Sequence, residues 1–335
     1  MRPSIRFYDI SGTNAASPRY VTTYWPSATP HEFYLWDDPK LPGRALLFMS
    51  THSGNLLVTD ISGARQRIFK ELVSWKAPIP YNGRDNRLHS LSVSTDGKRG
   101  YLAYLGGGFF IVNTSDFSAG LAAPKIRLVT PISNRVHWGD PGAHSAVKLF
   151  GRSSVLVTDE EYGKASGLPG HSGCPWGWTR LINISDPTHP RVVAQYRIPQ
   201  NTSGYCDTVS TQRNNLSSFS SHNPTLTKNL AFISWHSGGL QAVAIENPSL
   251  LRQVGRFYPS PLASVATEDP TLSSGQDKVV MWSYPIISKG LIYVVDVRNG
   301  LYVLRYKGPF ASEVTGITFL EGNSNLGDAL LLDPP

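Results

Sequence analysis

Residues 278–309 read KVVMWSYPIISKGLIYVVDVRNGLYVLRYKGP, and residues 222–242 read HNPTLTKNLAFISWHSGGLQA. Shifted by 61 positions they superimpose: Pro224 on Pro285, Lys228 on Lys289, Leu230 on Leu291, Phe232 on Tyr293, Gly239 on Gly300 and Leu240 on Leu301. The same shift puts Ile184 on Ile245 and Pro187 on Pro248. A unit repeated at such a period marks a repeat architecture.

A second marker extends the repeat towards the N-terminus. Phe7–Ser11, Val58–Ser62, Ile111–Ser115 and Leu181–Ser185 are apolar runs ending in Asp or Asn, one further residue and Ser. Those side chains can bond nearby backbone groups and start a turn. Each marker is followed by another strand-like run, and short apolar runs such as 44–49, 100–104, 155–158, 230–234 and 291–295 precede the third strand of each unit. The unit therefore has four strands, A to D, and no long helical pattern intervenes. Four-stranded units repeated about every 55–60 residues predict an all-β fold, a β-propeller. Strand A starts near His31, His89, His144, His222 and Ser283, giving five nearly whole units after a half unit at 1–25. Residues 1–310 read as one propeller domain and 311–335 as a tail with one closing strand, Gly316–Leu320 being the candidate for the missing strand D of blade five. The count fits a six-bladed ring or an incomplete seven-bladed one.

Composition sets the outer limits. The 335 residues are 40% hydrophobic, enough for a core, and carry a formal net charge of +7 without any Lys/Arg-rich run. Nucleic-acid binders cluster their charge, so no nucleic-acid partner is expected. No apolar stretch reaches the ~20 residues of a membrane helix, so no membrane insertion is expected. MRPSIRFYDI lacks the apolar core of a signal peptide.

The two opening stretches, with HEFYLWDDPK (31–40), LHSLSVSTDGKRGYLAYLGGGF (88–109), DPGAHSAVK (140–148), GCPWGWTRLINISD (173–186) and SVATEDP (264–270), resemble the LVIVD-repeat propeller proteins, large secreted bacterial proteins. The resemblance spans nearly the whole chain. It implies a β-propeller, an extracellular or periplasmic location, a seven-bladed parent longer at the N-terminus, and no particular catalytic activity.

In a propeller, strand A is innermost, and the D-to-A and B-to-C loops open on one face. Here the D-to-A loops are long (76–88, 131–143, 199–221, 259–278), as is the B-to-C loop 160–177. Binding residues concentrate on loops held by a rigid scaffold, so this face is the expected functional one. Cys174 and Cys206 fall on it side by side. A disulfide closing 33 residues fits them, a thiol nucleophile or metal ligand being the other reading.

His31, His89, His144 and His222 each stand where strand A begins, so the four imidazoles ring the channel mouth. They can hold a transition metal, since imidazole suits Zn, Cu, Fe and Ni, or lock each blade to its neighbour. Ser283 takes the fifth position. Glu32, Asp140, Glu268 and Asp269 are placed near the same mouth, and Trp176 and Trp178 flank a glycine beside Cys174; these six complete the expected binding face. Asp159–Glu161 reads as a solvated acidic cluster. Two functions fit. The first is a non-catalytic scaffold binding a protein or small molecule, favoured by the lack of a catalytic motif and requiring no cofactor. The second is a metal-dependent oxidoreductase or hydrolase.

Overall fold

The computed structural model describes residues 3–80, 84–139, 142–161, 173–208, 218–269, 273 and 278–335. A two-stranded sheet, β1 (Ile5–Asp9) and β2 (Arg19–Tyr24), precedes five four-stranded blades arranged in a ring. Blade one is β3 (Pro30–Asp37), β4 (Ala45–Thr51), β5 (Leu56–Asp60) and β6 (Lys70–Trp75). Blade two is β7 (Ser90–Val93), β8 (Arg99–Ala103), β9 (Phe109–Asn113) and β10 (Arg127–Leu128). Blade three is β11 (Ser145–Lys148), β12 (Ser154–Thr158), β13 (Thr179–Asn183) and β14 (Arg191–Tyr196). Blade four is β15 (Pro224–Leu226), β16 (Leu230–Trp235), β17 (Gly239–Asn247) and β18 (Leu250–Phe257). Blade five is β19 (Ile286–Ser288), β20 (Leu291–Asp296), β21 (Gly300–Leu304) and β22 (Phe319–Leu320). Strands paired in the sheets are antiparallel. No helix among the described residues is long and apolar enough to cross a membrane.

The central strands are apolar without alternation because neighbouring blades cover both faces. All six residues of β16 are buried, whereas the outer β18 is mostly exposed or half-buried. Each seam has its own apolar cluster: Trp36, Phe48, Phe110 and Phe117 between blades one and two, Tyr101, Phe109, Val155 and Val157 between two and three, Leu156, Tyr196, Ile233 and Trp235 between three and four, and Phe232, Ile292 and Val294 between four and five. The half unit packs on blade one through Tyr24, Met49 and Leu57. The Asp/Asn–x–Ser marker does what its chemistry allows: the Ser backbone N–H donates to the side-chain oxygen two residues earlier at Asp9, Asp60, Asn113, Asn183 and also Asn247, at 2.8–3.0 Å.

One expectation fails. Phe319–Leu320 does not form an outer strand D. It pairs with the inner β19, at the opposite edge of the sheet from β21. Beyond it, Leu35 of β3 donates to Asn323 O and accepts from the Asn325 N–H, in a parallel bridge with Ser324. Asn325 also bonds both backbone groups of Asp37. The tail thus stitches blade one to blade five at the hub. It ends on blade three, where Asp333 accepts from Lys148 Nζ and the Gly151 N–H at 2.9 Å. It leaves a space of only about 30 Å³ against Tyr34, Val93 and Val147, and its Glu321 and Asn323 also border the cleft at His31.

Candidate metal centre

The ladder bond that starts strand A is the same in three blades. The His89 N–H donates to Ala103 O, His144 to Thr158 O and His222 to Ser234 O, at 2.8–2.9 Å. This shared register puts equivalent imidazoles side by side: ring centroids are 3.9 Å apart for His89–His144 and 4.5 Å for His144–His222. In blade one a register shift between Pro30 and Phe33 loosens the pairing. His31 is exposed there, yet its ring stays 4.3 Å from His89, with Nε2···Nε2 2.8 Å. The four strand-A histidines therefore meet at one mouth.

Two residues beyond each ladder acceptor the chain turns from strand B to strand C on the same face. Those positions are Leu105, Glu160 and His236. Glu160 and His236 complete the cluster, and the repeat pattern of strand A points to neither. Asp159–Glu161 is not solvated: the three residues are only 1%, 4% and 3% exposed. The reason is the cover over them. Ser220 Oγ donates to Asp159 O and accepts from the Glu161 N–H, Ser221 Oγ also donates to Asp159 O, and Glu161 Oε1 accepts from the Gly173 N–H. Asp159 accepts from Arg180 and, at 2.8 Å, from Trp138 Nε1. Arg180 lies over the Trp138 ring at 4.1 Å and the Trp178 ring at 4.6 Å, and Arg197 lies over Trp178 at 3.6 Å.

Glu160 is the centre of the constellation. Its Oε1 lies 3.2 Å from His222 Nε2 and 3.2 Å from His236 Nε2; its Oε2 lies 3.3 Å from His144 Nε2 and 4.0 Å from His89 Nε2. The outward ring atoms are anchored: His222 Nδ1 donates to Trp282 O at 2.6 Å, His144 Nδ1 meets Ser145 Oγ at 2.8 Å and His236 Nδ1 meets Ser218 Oγ at 3.2 Å. Such outer bonds fix ring orientation and tautomer at metal sites. A carbonyl only accepts, so the His222 proton sits on Nδ1 and a neutral His222 turns a lone pair towards Glu160. His144 Nε2 and Glu160 Oε1 are buried without a hydrogen-bond partner of acceptable geometry among the described residues. Donors that converge this closely on one carboxylate also have the spacing of a coordination sphere: ligand atoms at ~2.1 Å from one ion stand roughly 3.0–3.4 Å apart.

Electrostatics agree. Burial alone would raise the Glu160 carboxyl, but His222 and His144 hold it well below the usual range. Burial lowers His222, and Glu160 overrides this and raises it. Burial keeps His89 well below its ordinary value and His144 at about 4, and lowers His236 and His31. Burial raises Glu32 to about 7. In the metal-free protein the histidines with lowered values cost stability in acid: below pH ~6.5 the unfolded chain binds protons that the folded one refuses. Unfolding midpoints should fall as pH drops from about 6.5 towards 4, and a flat profile over that range would contradict the buried neutral set.

Glu32 opens onto a cleft of about 340 Å³ lined also by His31, Asn223, Ser283 and Tyr284. The Tyr284 hydroxyl, with one proton to give, stands 3.4 Å from Glu32 Oε2 and 3.3 Å from Ser145 Oγ, which in turn meets His144 Nδ1. Of the other expected residues, none that is described joins a trio with the cluster. Trp176 is buried against Tyr205 and Phe219. Glu268 lies on Arg298 and Lys278 at the blade-five turn, and Asp269 is exposed nearby. Asp140 lies outside the described residues. Ser283 at the fifth position offers no ring; Trp282 beside it stacks on His236 at 5.0 Å.

The disulfide joins Cys174 to Cys206. It ties the covering segment before Trp176 to the helical turn Ser203–Cys206. Cys206→Ser should lower stability by ~3 kcal/mol on the loop-entropy argument. Chemical denaturation would test this, and an unchanged midpoint would show that the bridge constrains nothing.

No family model matches the chain, LVIVD-repeat models included, and no curated protein matches it in sequence. Solved structures share the fold. A periplasmic gluconolactonase of Pseudomonas aeruginosa is 12% identical with a TM-score of 0.56, covering 96% of this chain and 78% of that one. Sqt1 of Chaetomium thermophilum is 9% identical with a TM-score of 0.51, covering 96% and 69%. At such identities they support the β-propeller and nothing about chemistry.

Proposed function

We propose that this propeller is a metal-dependent hydrolase whose centre lies at the channel mouth. His144, His222, His236 and Glu160 hold a divalent transition metal, and a small polar substrate enters through the cleft at His31, Glu32 and Tyr284. One observation carries the reading: three imidazole Nε2 atoms converge within 3.3 Å of one buried carboxylate. A purely structural role accounts for His222, which locks blade four to blade five through Trp282 O. It does not account for two further imidazoles buried against the same carboxylate, since the one cationic ring of His222 already balances Glu160. Imidazole donors with one carboxylate leave a divalent ion net positive, suited to lowering the pKa of bound water. The LVIVD-repeat resemblance and the disulfide support an extracellular or periplasmic location.

The test is metal content and turnover together. Protein reconstituted with Zn²⁺ or Mn²⁺ should retain stoichiometric metal after desalting and hydrolyse members of an ester and lactone panel; His222→Ala should lose both. A folded wild type that retains no metal sinks the proposal and favours the scaffold, which acts through its long-loop face on a protein or small molecule.

A further inference from the structure

We infer that the mouth holds two metal ions, bridged by the Glu160 carboxylate. This rests on the metal-centre reading above and specifies it. The donors divide cleanly between the two carboxylate oxygens. Oε1 serves His222 and His236, both at 3.2 Å. Oε2 serves His144 at 3.3 Å and, further out, His89 at 4.0 Å. His31 extends this second side to the rim, 2.8 Å from His89 between Nε2 atoms. The buried atoms without hydrogen-bond partners fall on both sides: Glu160 Oε1 on one and His144 Nε2 on the other.

The extent of the row is the second argument. Ligand atoms lie within 4.8 Å of one another in each of four overlapping trios: Glu160–His222–His236, Glu32–His144–His222, His89–His144–Glu160 and His31–Glu32–His89. The first and last trios share no residue. One coordination sphere of the size transition metals adopt does not reach from His236 to His31, whereas two ions ~3.5–4 Å apart, the spacing of known two-metal sites, do. Glu32 joins trios on both halves, which makes it a second candidate bridge. The two sites are unequal: the inner one is closed by fixed rings, and the outer one has the exposed His31 at its edge. The outer ion is therefore the weaker and the one a substrate in the cleft meets first.

The experiment is a Zn²⁺ titration of the metal-free full chain by calorimetry, with elemental analysis of each plateau. Wild type should saturate in two steps at two ions per chain. His236→Asn should abolish the tighter step and His89→Asn the weaker, each leaving one ion. Co²⁺-loaded wild type should show a spin-coupled pair by EPR, and either variant an isolated ion. A wild-type plateau at one ion overturns the bridge and leaves the metal centre standing. Two ions retained by both variants also overturns it. No bound Zn²⁺ in wild type overturns the metal centre itself. Circular dichroism of each variant separates lost ligands from lost fold, and the wild-type plateau decides the matter even if a variant does not fold.

Discussion

Glu160→Gln should strip the channel mouth of metal while the propeller stays folded. The amide keeps the volume and one acceptor but removes the carboxylate approached by His144, His222 and His236. Altering residues that merely orient metal ligands costs ~10–100-fold in affinity, so loss of a direct charged ligand should cost at least the upper figure. The same change has a signature without metal. His222 owes its raised pKa to Glu160, against the effect of burial. With glutamine there, the largest influence opposing burial is gone and the ring's pKa should fall, Glu32 and the Trp282 carbonyl still holding it up in part. The sign for stability follows. A raised histidine pKa stabilises at low pH and loses that contribution as pH rises through the folded-state value; Glu160→Gln removes this acid-side contribution. NMR titration of the ring, with dialysis against competing chelators, measures both. Unchanged metal retention in the amide variant would exclude Glu160 as a ligand.

Arg180→Leu should be the most destabilising single change near the site, by ~3–5 kcal/mol, the usual cost of breaking one side of a buried ion pair. Asp159 is 1% exposed and faces Arg180 and Trp138. Burial has already pushed its carboxyl up to about 6. Without the guanidinium the charge is stranded and two tryptophan faces lose their cation. Asp159→Asn/Arg180→Leu should recover most of the loss, because a neutral pair removes the stranded charge. Denaturant unfolding of both variants decides this; a single variant within ~1 kcal/mol of wild type would show the pair to be decorative. Because Asp159 precedes Glu160 in the chain, Arg180→Leu should also weaken metal retention.

The strands and the ring were legible because they are written several times. Repetition averages out the ambiguity of any one short apolar run, and the Asx turns after Asp60, Asn113 and Asn183 announce the same corner each time. The four strand-A histidines were legible for the same reason. Glu160 was not, since three consecutive acids normally face water and the serines that cover them arrive some sixty residues later in the chain. His236 left a readable trace: Ser50-Thr51-His52-Ser53-Gly54 and Ser234-Trp235-His236-Ser237-Gly238 share a pattern at the same strand B-to-C turn. Aligning turns as well as strands would have found it. The pairing of Phe319–Leu320 with β19 had no such signal, because a two-residue strand carries no periodicity and its place depends on the tail that follows.

That tail bears on how a substrate would reach the proposed centre. With Asn323–Asn325 laid along β3 and Asp333 fastened to Lys148, the tail closes the end of the hub beneath Tyr34 and Val93. On the proposed function, a substrate entering at the cleft would have to leave by the same opening. If the proposed hydrolase reading holds, turnover would be limited at that rim, where His31, Glu32 and Tyr284 line the cleft.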